Sequence, residues 1–485
     1  MAIKRYYATK DNTITNAFKS NLTTRGVSGN MGQSDIVEIF SIYAQANTAS
    51  SELSRVLIEF NTDEINADRT SGVIPASGSV NFFLRMYNAR HSQTTPNNFT
   101  LVASAISQSW SEGLGLDMEE YSDEDASNWI SASDGNAWTT EGGDYITGSD
   151  AVPFEYTFTQ LFDTGFEDLE MDVSHLIEDW IGGELANYGF GVQLTSSDET
   201  AENSFYTKRF FARGSQFFHK RPIIEARWDD SKKDNRGDFH LSSSLVPASD
   251  NLMNLYLYNV VRGELKDIPV VGTGDIIVNI YSGSTGPTGD KLFLPVGGGV
   301  ITEGDVDITA SHVETGIYSC SFAYASSSIT TIFDVWSSSS IEYHTGSGVE
   351  VETFNSKDFN FDQNFVSKII NLKPNYSTEE TARFRLFVRS KDFSPNIFTV
   401  ASKEIENTIV DNIYYQVKRS SDGLSVIEYG TGSLNHTRLS YDVSGSYFDL
   451  DIGMLEAENS YQIKFVYLIN GSYVEQSETF RFNVV

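Results

Sequence analysis

Carboxylates are the residues of this 485-residue chain whose crowding first invites chemistry: Asp117, Glu119, Glu120, Asp123, Glu124 and Asp125 fall within DMEEYSDEDASNW. Two well-placed acids suffice for glycoside hydrolysis, and a set of oxygens suffices for calcium. The run lacks the glycine-centred spacing of an EF-hand. It reads as a solvated acidic loop, with calcium held loosely by Asp123 and Asp125 as the alternative and no other cofactor implied. The seven histidines, His91, His175, His219, His240, His312, His344 and His436, are scattered, and no pair has the helical spacing of a zinc site. His175 lies within an amphipathic segment and is expected to be packed or half-exposed. With one cysteine, Cys320, no G-x-S-x-G elbow and no phosphate-binding loop, nucleophilic and phosphoryl-transfer chemistry have no anchor. No catalytic or metal residue is assigned, and the chain is expected not to be an enzyme.

Binding has more candidates. If exposed, the flat faces of Trp110, Trp129 and Trp138 would suit stacking on pyranose rings; Trp110 and Trp138 read rather as packed under long loops, and Trp129, beside the acidic run, is the candidate for exposure. The segment TKRFFARGSQFFHKRP, Thr207 to Pro222, concentrates Arg and Lys against an acidic background. Adjacent strand residues point to opposite faces, so Phe210, Phe211, Phe217 and Phe218 exceed what one side of a strand can bury. With Arg213 and Lys220 they make a candidate docking face for a neighbouring subunit; burial beneath the insertion near Asp117 is the competing reading. Arg236-Gly237-Asp238 is the tripeptide that some integrins read, but in WDDSKKDNRGDFH it reads as linker.

These residues must be positioned by strands and one short helix. Val173, Leu176, Ile177, Trp180 and Ile181 recur at three- and four-residue spacing, which predicts an apolar helical face with Trp180 in the core. Gly182-Gly183 ends it. Asn187-Tyr188-Gly189 turns the chain into alternating Phe190, Val192 and Leu194, and Arg221-Pro222 leads into a strand through Ile223, Ile224 and Ala226. Upstream, Asn30-Met31-Gly32 precedes Ile36, Val37, Ile39 and Phe40, RVLIEFNTDEI (Arg55 to Ile65) reads as an apolar strand bearing a basic residue, and SVNFFLRMYNA carries Phe83, Leu84 and Tyr87. ISQSWSEG around Trp110 and NAWTTEGGDY from Asn136 to Tyr145 complete the order. Together these motifs, across residues 1–230, resemble a DNRLRE-type β-sandwich, a module related to carbohydrate-binding domains and common in secreted bacterial and phage structural proteins. The resemblance implies a jelly-roll-like sandwich; the acidic run lengthens its tryptophan loop.

After a linker at 231–238, strands of immunoglobulin-like length follow. NLYLYNVV, DIIVNIYSG, GIYSCSFAY and TTIFDVWSS predict one small sandwich over 239–350. The phrase ETGIYSC resembles the strand before the second cysteine of an immunoglobulin domain, yet no partner cysteine exists. Tyr318 therefore reads as a tyrosine-corner-like residue and Cys320 as a small buried side chain. A second such unit is expected over 351–485, from ARFRLFVRS, NIYYQVKRS and YFDLDIGML, with Asn470-Gly471 as a two-residue hairpin turn. The expected architecture is all-β, a jelly-roll-like sandwich plus two Ig-like sandwiches in tandem.

A net charge of −32 disfavours nucleic-acid binding, because phosphate contacts need a basic surface. No apolar run approaches ~18 residues, so no membrane insertion is expected, and the N-terminus lacks a signal-peptide core. Synthesis in a reducing cytoplasm without export suits a phage, whose particles assemble inside the bacterium. The expectation is a structural protein of a tailed-bacteriophage virion, in neck, tail, baseplate or fibre, docked to other virion proteins through its first sandwich or self-associated in a symmetric assembly. Two alternatives stay open, an adsorption protein that binds a host surface glycan or receptor, and a non-catalytic chain of a polysaccharide depolymerase.

Overall fold

The computed structural model describes residues 2–48, 50–146, 156–292, 308–324, 328–353, 363–392 and 407–485. The described chain is nearly all β, in packed sheets joined by short helices and turns. Its buried apolar side chains divide along the sequence. The largest cluster draws on residues 2–228, a second on 239–349, and a third on 369–484 with the addition of Ile3.

In the N-terminal strand group, one strand serves two sheets. Ile3–Thr15 pairs through Ile3–Tyr7 with Ile223–Arg227, shifts register between Ala8 and Lys10, and continues against Ser54–Phe60. A bulge bends a strand and increases its twist, which here carries the chain from one layer to the other. The layers enclose Ile58, Phe82, Leu84, Phe190, Val192 and Ile224. The expected helix forms at Ser174–Gly182, stopped by left-handed Gly183, and buries Leu176, Ile177 and Trp180. Trp180 meets Phe190 edge-on at 4.9 Å. A second helix of equal length, Thr62–Thr70, was not foreseen. The strand expected to run from Arg55 to Ile65 stops at Phe60, because the Asn61 side chain accepts the Asp63 N–H and caps a helix there. Arg69 then clamps the two helices together through Glu178.

The middle group is ordered around Thr331–Ser338 and Ile276–Ser282, with Met253–Tyr258 at one edge. Tyr318 is buried and its hydroxyl donates to the Gly272 carbonyl at 2.7 Å while accepting the Ile268 N–H; these bonds reach 46 and 50 positions back, farther than the few residues of a tyrosine corner. Cys320 is buried, and burial pushes its thiol up to about 12. In the C-terminal group a four-stranded and a six-stranded sheet face each other, with Tyr415 stacked on Phe448 at 4.2 Å between them. Asn470 and Gly471, both at positive φ, make the expected hairpin turn.

One boundary moves, and the linker is not free. The expected division at 350/351 falls inside the strand Val349–Glu352, which pairs in parallel with Phe239–His240 and belongs to the middle group. The stretch 231–238 is pinned rather than free: Asp234 donates its N–H to the Tyr441 carbonyl, and Asn235 bonds both the Tyr441 hydroxyl and the Asn254 N–H.

Candidate functional site

The tryptophans do not form a sugar platform. Trp110, Trp129 and Trp138 are 4 %, 4 % and 6 % exposed and share one apolar cluster with Ile14, Leu57 and Ile106. Trp110 donates to the Tyr188 carbonyl at 2.9 Å and Trp138 to the Asn128 carbonyl at 2.8 Å. Arg55 lies over the Trp129 ring and is held bidentately by Glu199. The expected exposure of Trp129 is thereby corrected; the guanidinium and the Gly142 loop cover it. Asn30, fully buried, bonds the Glu112 and Ser127 carbonyls and the N–H groups of Gly32 and Gly115, stapling three loops. A side chain at Gly32 would meet the Glu112 carbonyl at 2.3 Å, which explains the Asn-x-Gly spacing.

The acidic insertion is built from capped turns. Asp117 accepts three backbone N–H groups, from Glu119, Glu120 and Tyr121, which hold its carboxyl below the ordinary range. Asp123 accepts the Leu114 N–H, Glu119 the Ser20 N–H and Glu124 the Ser28 hydroxyl. Met118 packs on Gly26 and Gly29. The insertion thus covers the 20–30 loop and not the phenylalanines.

The candidate docking residues separate by the strand rule. Along Phe205–Phe211, Lys208 and Phe210 point inward and are buried. Lys208 donates to Asn88 Oδ1 and to the Gly165 and Glu167 carbonyls, and burial draws its ammonium down to about 8. Phe218 packs on Tyr7 at 5.3 Å. Arg213 is engaged bidentately by Glu112, and Arg209 pairs with Glu38. Arg209 and Arg213 are thus paired with carboxylates, while Lys208 is held on neutral oxygens. What reaches solvent is smaller. Phe217, 48 % exposed, meets Phe211 edge-on at 5.3 Å, and Lys220 lies over Phe211 at 5.1 Å. Lys220 also lines a groove with Arg90, Asn88, Asp168 and Phe166, the last 61 % exposed. Sequence pattern does not single out Phe166; it sits in a loop 41 positions before Thr207, and the bonds of Lys208 to the Gly165 and Glu167 carbonyls help to bring it to the docking segment.

A buried junction lies behind this face. Glu225 accepts from Arg5 Nε at 2.7 Å, from Arg227 Nε at 2.7 Å and from Arg85, and Arg227 also grips Glu170. Burial alone would raise the Glu225 carboxyl; the three guanidinium groups outweigh it and hold it well below the usual range. Arg5 reaches on to the Val426 carbonyl, and His219 meets Tyr461. The arginine of the integrin-type tripeptide is turned inward: Arg236 binds Asp334 through both terminal nitrogens, at 2.7 and 2.6 Å. Among the described residues, the one grouping of three or more side chains within metal-binding reach is Asp238, His240 and Glu352. No helix among them is long and apolar enough to cross a membrane.

No family model and no curated protein matches this chain. Among solved structures, a marsupial T cell receptor aligns over 51 % of this chain and 70 % of its own at 9 % identity and a TM-score of 0.16. That score is too low to bear on fold or function.

Proposed function

We propose that this chain is a non-enzymatic structural protein of a tailed-bacteriophage virion, docked through its N-terminal sandwich, with the two later strand groups as Ig-like units. What supports the docking part is the patch of Phe217, Phe211, Phe166, Lys220 and Arg90, exposed aromatic area and two cations on a chain of net charge −32. Broad self-association of so acidic a chain accumulates repulsion. A patch of this kind suits a different partner that offers apolar area with carboxylates at its rim. The virion origin rests on the resemblance of residues 1–230 to DNRLRE-type sandwiches. The adsorption alternative draws no support from Trp110, Trp129 or Trp138, which are buried.

The test uses full-length protein in phage particles. Phe217→Ser with Lys220→Glu is expected to leave melting unchanged and to lower copies per particle at least tenfold, counted by quantitative mass spectrometry. Wild-type protein missing from purified particles would rule out the virion reading. Undiminished incorporation of the double variant would rule out this face.

A further inference from the structure

We propose that Asp238, His240 and Glu352 form a binding site for a divalent transition metal, with Zn2+ the ion that their donors suit. One imidazole and two carboxylates are a borderline donor set. It fits zinc and its first-row neighbours, whereas calcium takes oxygen donors almost alone.

The backbone presents these three side chains together. Asp238 and His240 are two residues apart and so fall on one face of the chain as it enters the strand Phe239–His240. That strand lies parallel to Val349–Glu352 with His240 directly opposite Glu352, and the Leu241 N–H locks the register on the Glu352 carbonyl at 2.8 Å. Phe239, fully buried, anchors the pair from beneath. His240 Nε2 is already 3.0 Å from Asp238 Oδ1, and all three donor atoms lie within 4.8 Å of one another. Bonds of ~2.0–2.1 Å at a tetrahedral zinc put neighbouring donors about 3.3 Å apart. The cluster closes to that spacing by rotation of Glu352, its exposed member. The Asp238–His240 pair needs no more than slight opening.

The surroundings favour a cation. The carboxylates of Asp238, Glu352 and Asp411 all act on the imidazole, while the nearest guanidinium in sequence, Arg236, is turned away and neutralised by Asp334. A bound ion would tie the tripeptide turn of the linker to the last strand of the middle group, with water completing the coordination. Asp238 then serves as a ligand and not as an adhesion residue. Sequence spacing hides the site, because Glu352 is 112 positions from His240.

The experiment is a zinc titration of untagged, chelator-treated full-length protein in competition with a chromophoric zinc indicator. Wild type is expected to take up one Zn2+ per chain and to melt at a higher temperature with Zn2+ than with chelator. His240→Gln and Glu352→Gln should each weaken binding at least tenfold and remove the thermal shift, while melting like wild type in chelator. Ca2+ should give no shift. Absence of Zn2+ uptake by wild type, or the same stoichiometry and affinity in the His240→Gln/Glu352→Gln double variant, would overturn the assignment.

Discussion

His219 in the first sandwich and Tyr461 in the last strand group are hydrogen-bonded at 3.1 Å across 242 positions of sequence. The contact is one of a set. Ile3 is buried among C-terminal apolar residues, Arg5 bonds the Val426 carbonyl, and Tyr441 is held by the linker. Tandem sandwiches are commonly spacers, but here the first and last groups close directly on each other. The middle group joins them through Arg236 and Asp334.

Acid should loosen this closure. Burial first, and then the nearby guanidinium groups, bring the imidazoles of His219 and His436 down to about 4. A group whose folded pKa lies below its unfolded value of ~6.5 contributes stability in full above ~6.5 and loses it as pH falls toward 4. Asp11 and Asp234 act in the opposite sense, because burial raises their carboxyls to about 7 and about 6; their contribution is lost as pH rises. The comparison must therefore isolate the histidines. Between pH 7 and pH 4.5, wild type should lose on the order of a few kcal/mol more than His219→Gln/His436→Gln in chemical denaturation. Parallel pH profiles for the two proteins would show that these imidazoles are not buried as neutral rings.

Glu225→Gln should be among the most damaging single changes. The substitution nearly preserves shape but removes the one negative charge shared by Arg5, Arg85 and Arg227. Breaking a buried ion pair from one side costs about 3–5 kcal/mol. Arg5 also serves the C-terminal group, so the loss should appear in a single transition of the whole chain. A separate low-temperature transition of the N-terminal group alone would count against direct coupling.

Trp180→Ala should cost about 3–5 kcal/mol, the range for emptying a large aromatic core site. Its indole closes the helix Ser174–Gly182 against Phe190. An unchanged melting temperature of full-length protein would mean that the helix does not pack through this face.

Local pattern made much of this legible. Three-and-four spacing located the helix around Trp180, strand alternation located Phe190–Leu194 and Ile223–Arg227, and Asn470-Gly471 marked its turn. Long-range pairing was not legible. Arg213 looks like surface charge until Glu112, 101 positions earlier, is brought to it, and Lys208 looks exposed until the Gly165 loop covers it. Trp129 beside an acidic run suggests exposure, but Arg55 and Gly142 arrive from distant segments to cover it. The docking patch and the donor cluster around His240 are both products of such pairings. Composition and strand alternation point to Phe211, Phe217 and Lys220, but they carry no information on Phe166 and Arg90 or on the approach of Glu352 to His240.

Arg236 supplies the last test, because one side chain decides two questions. Its guanidinium is part-buried and bonded at both ends to Asp334, whose side chain is fully buried and also accepts the Trp336 indole N–H. Arg236→Met removes the partner of a buried carboxylate, and the expected cost is about 3–5 kcal/mol, read as a lower denaturation midpoint. Arg236→Lys should recover only part of this, since an ammonium cannot make the bidentate contact. The same geometry withdraws the arginine that an adhesion receptor would have to grip. Cell attachment to surfaces coated with folded wild-type protein should match that to Asp238→Glu. Attachment that is strong with wild type and lost in Asp238→Glu would show that Arg236 leaves Asp334 in solution, and an Arg236→Met protein as stable as wild type would show the same from the other side.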